Sequence, residues 1–174
     1  MGPDFEYLKR TFLSGDPEER IRAGEELGRL KNNETLDFLI PLLKHKDPWV
    51  RHSAAMVLSE IGDDRAAKPL AEAINTPELR QNRGTLVAAL YDLDCSDFFL
   101  LMIKLALSND YESQSHALSI LADKKFKSTK GDIIAARKMV SDYSKGFRKC
   151  DGAKELLEEI EEHIERIEQE SRED

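Results

Sequence analysis

Three columns of apolar residues run through the chain in step. Leu8, Leu39, Leu70 and Leu101 lie 31 residues apart throughout, as do Phe12, Leu43, Ile74 and Leu105. A third column, Leu27, Leu58, Leu90 and Leu121, keeps phase at spacings of 31, 32 and 31. A fixed period of this length marks a chain of stacked supersecondary units. Within each period apolar positions recur at spacings of three and four, which is the pattern of a helix with one buried face. Alternating β-branched runs and hairpin signals are absent, so the pattern predicts helices and no sheet. Each unit holds two of them. The first helices are predicted at Glu34–His45, Asp63–Ile74 and Ser96–Leu107, and Phe5–Leu13 fits the same class. The second are predicted at Pro17–Leu30, Pro48–Ile61, about Leu79–Leu93, and Tyr111–Ala122.

The turns support this division. Asp16-Pro17 recurs 31 residues later as Asp47-Pro48. Each supplies a carboxylate to cap a helix and a proline at its first position, where the missing N–H is not needed. The third unit lacks the pair. Gly62-Asp63-Asp64 ends one helix with glycine and offers aspartate to start the next.

After Ala122 the phase is lost. Residues 124–131 read as a basic loop, Asp132–Tyr143 as a helix, and Gly146–Gly152 as a break. Asp151 to about Glu170 then reads as a long helix with Leu156, Leu157, Ile160, Ile164 and Ile167 on one side. Such a narrow stripe suits a helix that covers the end of a stack, as terminal repeats must. A dimerising coiled coil is the alternative, but under three heptads is short for one, so a monomer is expected.

Charge alters the picture once the chain is divided. The net figure of −8 conceals 21 acids and 14 bases in residues 1–123, two acids and nine bases in 124–149, and eleven acids and three bases in 151–174. Lys124, Lys125, Lys127, Lys130, Lys138, Lys145, Arg148 and Lys149 could form a phosphate-contacting patch. The competing reading is a solvated face neutralised by the acidic helix beside it. The mean hydropathy of −0.53 and a longest apolar run of only Phe98–Ile103 exclude a membrane-spanning helix. The opening Met1–Glu6 lacks the basic start and apolar stretch of a secretory signal, and two cysteines, Cys95 and Cys150, form no disulfide framework. A cytoplasmic protein is the expectation.

At this point the residues resemble a HEAT-repeat α-solenoid, in particular the short HEAT-like repeat of the phycobilisome-lyase type. The resemblance rests on Asp47-Pro48-Trp49-Val50-Arg51-His52-Ser53-Ala54-Ala55 through Leu58 and Ile61-Gly62, then Asp63-Asp64-Arg65-Ala66-Ala67-Lys68-Pro69-Leu70 to Ile74. It implies an all-α fold: an α-solenoid of about 4–5 stacked helix pairs with a long C-terminal capping helix. The expected organisation is one domain, 1–174, with regular repeats in 5–122, an irregular basic segment with one helix in 123–150, and an acidic C-terminal helix and tail in 151–174. It also implies that Arg20, Arg51 and Arg83, one turn into the second helices, form a structural ladder in which Asp16 and Asp47 pair with the arginines.

In proteins of this kind the second helices line the concave face. With Val50, Ala54, Leu58 and Ile61 facing the core, the outward residues of that helix are Trp49, His52, Ser53, Met56 and Glu60. Moving by column places Glu18, Ile21, Arg22, Glu25 and Arg29 on the preceding unit. The following units contribute Gln81, Gly84, Thr85, Ala88 and Asp92, then Glu112, Ser115, His116, Ser119 and Asp123. The chain's single tryptophan, beside Met56 and near Ile21, suits an interface anchor. The alternative folds Trp49 back over the Pro48 turn. The small residues around Gly84, Thr85, Ala88, Ser115 and Ser119 predict a shallow depression next to it.

The expected function is therefore a non-catalytic scaffold or adaptor that binds another protein, partly basic in character, on this face. The candidate contacts are Ile21, Arg22, Arg29, Trp49, His52, Ser53, Met56, Glu60, Thr85, Asp92 and His116. Acids along the face oppose nucleic acid, although the segment 124–149 keeps that reading open. A bilin-lyase-like tetrapyrrole chaperone or lyase subunit is the other alternative, supported by the repeat alone. No catalytic residue, metal site or cofactor is expected. His45, His52, His116 and His163 show no ligand spacing, Cys95 has no neighbouring base, and there is no glycine-rich phosphate loop or nucleophile elbow.

Overall fold

A computed structural model of the chain describes residues 4–79, 83–146 and 153–173. Among these, all regular structure is helical, and the fold is of the HEAT-type α-solenoid class. The α-helices are α1 (Phe5–Ser14), α2 (Pro17–Leu30), α3 (Asn33–Leu42), α4 (Pro48–Ile61) and α5 (Ala67–Asn75). They continue as α6 (Gly84–Leu90), α7 (Phe99–Ala106), α8 (Tyr111–Asp123), α9 (Lys130–Gly146) and α10 (Ala153–Glu173). Gln81 of the predicted stripe lies outside the described residues, as do Arg148 and Lys149 of the basic block, Cys150, and residues 147–152 of the predicted break.

The chain divides into two compact units, Met1–Asp94 and Cys95–Asp174. In the first, α1 packs on α2, α3 on α4 and α5 on α6, while α2, α4 and α6 pack side by side. The second helices thus form one layer and the first helices the other. All twelve residues of the three apolar columns are buried, nine of them in this unit. Each fully buried leucine or phenylalanine removes apolar surface worth roughly 1.5–3 kcal/mol. A lone helix pair has one stripe with nothing behind it, and stacking supplies the missing cover.

The helix starts follow the turn chemistry. Asp16 accepts from the Glu19 N–H at 2.9 Å while Glu19 accepts from the Asp16 N–H at 3.3 Å, a reciprocal capping box. Asp47 caps α4 by accepting from the Trp49 N–H at 2.9 Å. Gly62 ends α4 at φ +70°, a left-handed conformation that glycine adopts without strain.

Several boundaries differ from the sequence reading, including the helix predicted at Asp132–Tyr143, which runs from Lys130 to Gly146. The helix predicted to reach His45 ends at Leu42, after which the chain closes with the tighter bonds Leu43 N–H to Ile40 O, Lys44 N–H to Pro41 O and His45 N–H to Leu42 O. The helices predicted from Asp63 and Ser96 open with 3-10 turns, Asp64–Ala66 and Ser96–Phe98, before α5 and α7 begin. The third second helix is short, α6 alone with a separate turn at Pro77–Leu79. Here no Asp-Pro pair is present, and Arg83 at the cap position gives α6 no side-chain cap.

In the second unit α7 packs on α8 and α9, and α10 packs on α8 and α9. Ile160, Ile164 and Ile167 of α10 are fully buried there. The apolar stripe of the acidic helix is therefore used within its own unit. Phe126, in the segment before α9, is buried against Phe99 with ring centroids 5.8 Å apart.

Candidate functional site

The arginine positions come first, because they separate structure from surface. Arg51 is 6% exposed and donates from Nη1 to the carbonyls of His45 at 2.7 Å and Lys46 at 3.1 Å. Arg20 donates from Nε to the Phe12 carbonyl at 2.9 Å and from Nη2 to that of Gly15 at 3.4 Å. The expected Asp16–Arg20 and Asp47–Arg51 pairs do not form. Each carboxylate is occupied by the N–H groups at the start of its helix, and each guanidinium turns to the carbonyls at the end of the preceding segment, which have no helical donor. Arg83 is buried in the equivalent column. Arg20 and Arg51 thus hold the turns before their helices.

Polar links between neighbouring units lie elsewhere. Arg65 donates to Asn33 Oδ1 at 2.9 Å and pairs with Asp63 at 2.7 Å, Lys44 pairs with Glu72 at 3.2 Å, and Asp64 accepts from the Asp94 N–H at 2.7 Å. The Arg65 guanidinium beside Asp63 holds its carboxyl down at about 2. A search for matching residue types at matching columns misses these contacts, because the partners are chemically unlike.

The outward stripe of the first unit is observed where the helical period places it. Val50, Ala54, Leu58 and Ile61 are buried, whereas Trp49 is 68% exposed, Met56 51% and Ile21 58%. Trp49 points outward and meets His52 edge-on, with centroids 6.1 Å apart. Arg22 and Arg29 are exposed, paired respectively with Glu18 at 3.2 Å and with Glu25 at 3.8 Å. On α8, in the second unit, Glu112, Ser115, His116, Ser119 and Asp123 are all exposed.

A groove of about 570 Å³ runs between α2 and α4. Its walls are Ile21 and Glu25 on one side and His52, Met56 and Glu60 on the other, with Asp92 at one end. Gly24, Phe12 and Val57 form the floor. This groove lies one unit before the small residues of α6, where the sequence predicts a depression. Gly84 is buried, and the α4–α6 seam is filled by His52 Nδ1 against Thr85 Oγ1 at 2.8 Å and by Ser59 donating to Asp92. At the floor of the groove Gly24 lets the α2 backbone approach Phe12 and Val57 closely. A Cβ there would lie 3.0 Å from Val57 Cγ2 and 3.3 Å from Phe12 Cε2. The signal was legible as a glycine in mid-helix, a position that costs about 1 kcal/mol relative to alanine unless packing requires it.

Three bases of the segment are engaged with acids of its own unit. Lys127 pairs with Asp97 at 3.3 Å and Lys145 with Asp142 at 2.9 Å. Arg137 reaches Glu168 at 2.9 Å and Glu161 at 3.8 Å on α10, and holds the Glu168 carboxyl below its ordinary range. Among the described residues, Lys125, Lys130 and Lys138 make no ion pair, which leaves a sparse patch for phosphate. Burial, followed by the Arg166 charge, lowers the His163 imidazole on α10. Among the described residues no group of three His, Cys, Asp or Glu side chains could hold a metal ion, and no helix is long and apolar enough to cross a membrane.

Comparison with known proteins agrees with this architecture. Residues 7–91 match the family model of HEAT repeats, a class that generally mediates protein–protein interaction and is typically non-catalytic. A solved crystal structure of an engineered protein from the Northeast Structural Genomics Consortium aligns over 93% of this chain and 79% of its own, with a TM-score of 0.51 and 19% identity. That likeness concerns the fold alone. No curated protein matches the chain.

Proposed function

We propose, from the premise that residues 7–91 are HEAT repeats, that the chain is a non-catalytic adaptor that docks a partner protein on the outer face of α2 and α4. One observation carries this reading: Ile21, Trp49 and Met56 are each more than half exposed, and they surround a single groove or adjoin its wall through His52. Scattered apolar residues on a surface need no explanation, but a tryptophan, a methionine and an isoleucine gathered around a concavity resemble the core of an interface. Arg22, Arg29, Glu60 and Asp92 would form its polar rim, and Ser53 and Thr85 its hydrogen-bonding edge.

The test is an affinity pull-down from the native cell with the full chain as bait. A Trp49→Ala, Met56→Ala double variant removes two exposed side chains, so it keeps its melting temperature within a degree or two and loses the captured protein. Retention of the same protein by the folded double variant would remove this face from consideration.

A further inference from the structure

The groove is apolar in its floor, carries Ile21 and Met56 in its walls, and is acidic in its charge. Glu25, Glu60 and Asp92 line it, against Arg20 and His52 as the nearest bases. Arg20 donates to the Phe12 and Gly15 carbonyls and keeps its charge, and the His52 ring meets Thr85, so three carboxylates against one arginine leave the lining net negative. Glu25 already faces Arg29 at 3.8 Å. Two carboxylates are left without a cation among the described residues. Asp92 accepts only the Ser59 hydroxyl, and Glu60 lies over α2, its Oε2 positioned 3.5 Å from where a Gly28 Cβ would stand.

From this charge imbalance we infer that the groove takes a basic segment of a partner protein, in which a large apolar side chain enters between Ile21 and Met56 and a lysine or arginine nearby reaches Glu60 and Asp92. The inference rests on the groove being the docking surface proposed above. At about 570 Å³ the hollow is of a size that encloses a few side chains. Anionic occupants, acidic peptide and nucleic acid alike, would bring like charge against two uncompensated carboxylates, which disfavours them over a cationic one. Apolar contact supplies the hold and the carboxylates select the partner.

The experiment selects displayed random peptides of about 16 residues on the immobilised full chain, then titrates the synthesised winners in solution by fluorescence anisotropy. Wild type, Met56→Ala and Glu60→Lys are compared at low and high salt. Both substituted residues are exposed, and melting curves verify that the variants fold. The expected winners combine a large apolar residue with lysine or arginine, bind about fivefold more weakly to Glu60→Lys, and weaken as salt rises. Uncharged or acidic winners, or basic ones lost in Met56→Ala but unchanged in Glu60→Lys, would overturn the basic occupant and leave the docking surface standing. Winners indifferent to both substitutions, or no winners at all, would overturn the inference, and indifference to Met56→Ala would overturn the docking surface with it.

Discussion

At the scale of single residues, the repeated aspartate and arginine act in series. Asp47 satisfies an N–H at the start of α4, and Arg51 satisfies carbonyls just before it. Losing the buried Arg51 side chain removes the donor to two turn carbonyls and opens a void, so Arg51→Ala should destabilise by about 2 kcal/mol, measured by urea unfolding. Asp47→Ala, which loses one exposed cap, should cost about 1 kcal/mol. If binding to the native partner fell while unfolding was unchanged, the structural role of Arg51 would be wrong. Asp63 carries a pH signature. Its carboxyl is held at about 2, below the usual 3.8, so the fold favours its ionised form. That contribution is present above the unfolded value and is lost as pH falls from about 4 towards 2. The pair is exposed, so the effect is small and weakened by salt. Carboxyl NMR titration should find Asp63 at the low end, and Asp63→Asn should flatten the acid limb of stability between those pH values.

At the scale of elements, α2 makes the sharpest claim. Gly24 and Gly28 both face α4, but only the first is pressed, with ordinary contact distances of 3.5 Å at Gly28. Gly28→Ala should gain up to about 1 kcal/mol from helix propensity. Gly24→Ala gains the same but drives a methyl against Val57 and Phe12, and the overpacking should leave it less stable by about 1 kcal/mol. Thermal unfolding of the two variants in parallel checks the opposite signs. The same helices show what the sequence made legible. α2 and α4 have the bounds that Asp-Pro caps and apolar columns predicted, because local chemistry alone decides those ends. The starts of α5 and α7 and the length of α6 were misread, since no capping pair marks them and their first turns are set by what they pack against. The groove between α2 and α4 is not legible from small residues alone, because its lining combines side chains of two helices with Asp92, while His52 and Ser59 hydrogen-bond across towards Thr85 and Asp92.

At the scale of the whole molecule, the period of 31 specifies the architecture of the first unit and continues into the second, which begins at Cys95, while the loss of phase after Ala122 falls inside that second unit. The net charge of −8 resolves into local pairings, with the basic segment and α10 meeting at Arg137 and Glu168. Within the groove, the carboxylates without a cation among the described residues are Glu60 and Asp92. The single tryptophan provides a reporter: exposed at 68%, Trp49 should emit at long wavelength in the free chain and shift to shorter wavelength when the partner covers it. The claim on which the rest depends is that the partner sits on the face formed by α2 and α4. Site-specific photo-crosslinking in the native cell tests it most directly, with a benzophenone amino acid at Met56 and, as a control, at the exposed Ile134 of α9. The account predicts a discrete crosslinked protein from position 56 and none from position 134; the same species from both positions, or from 134 alone, would contradict it.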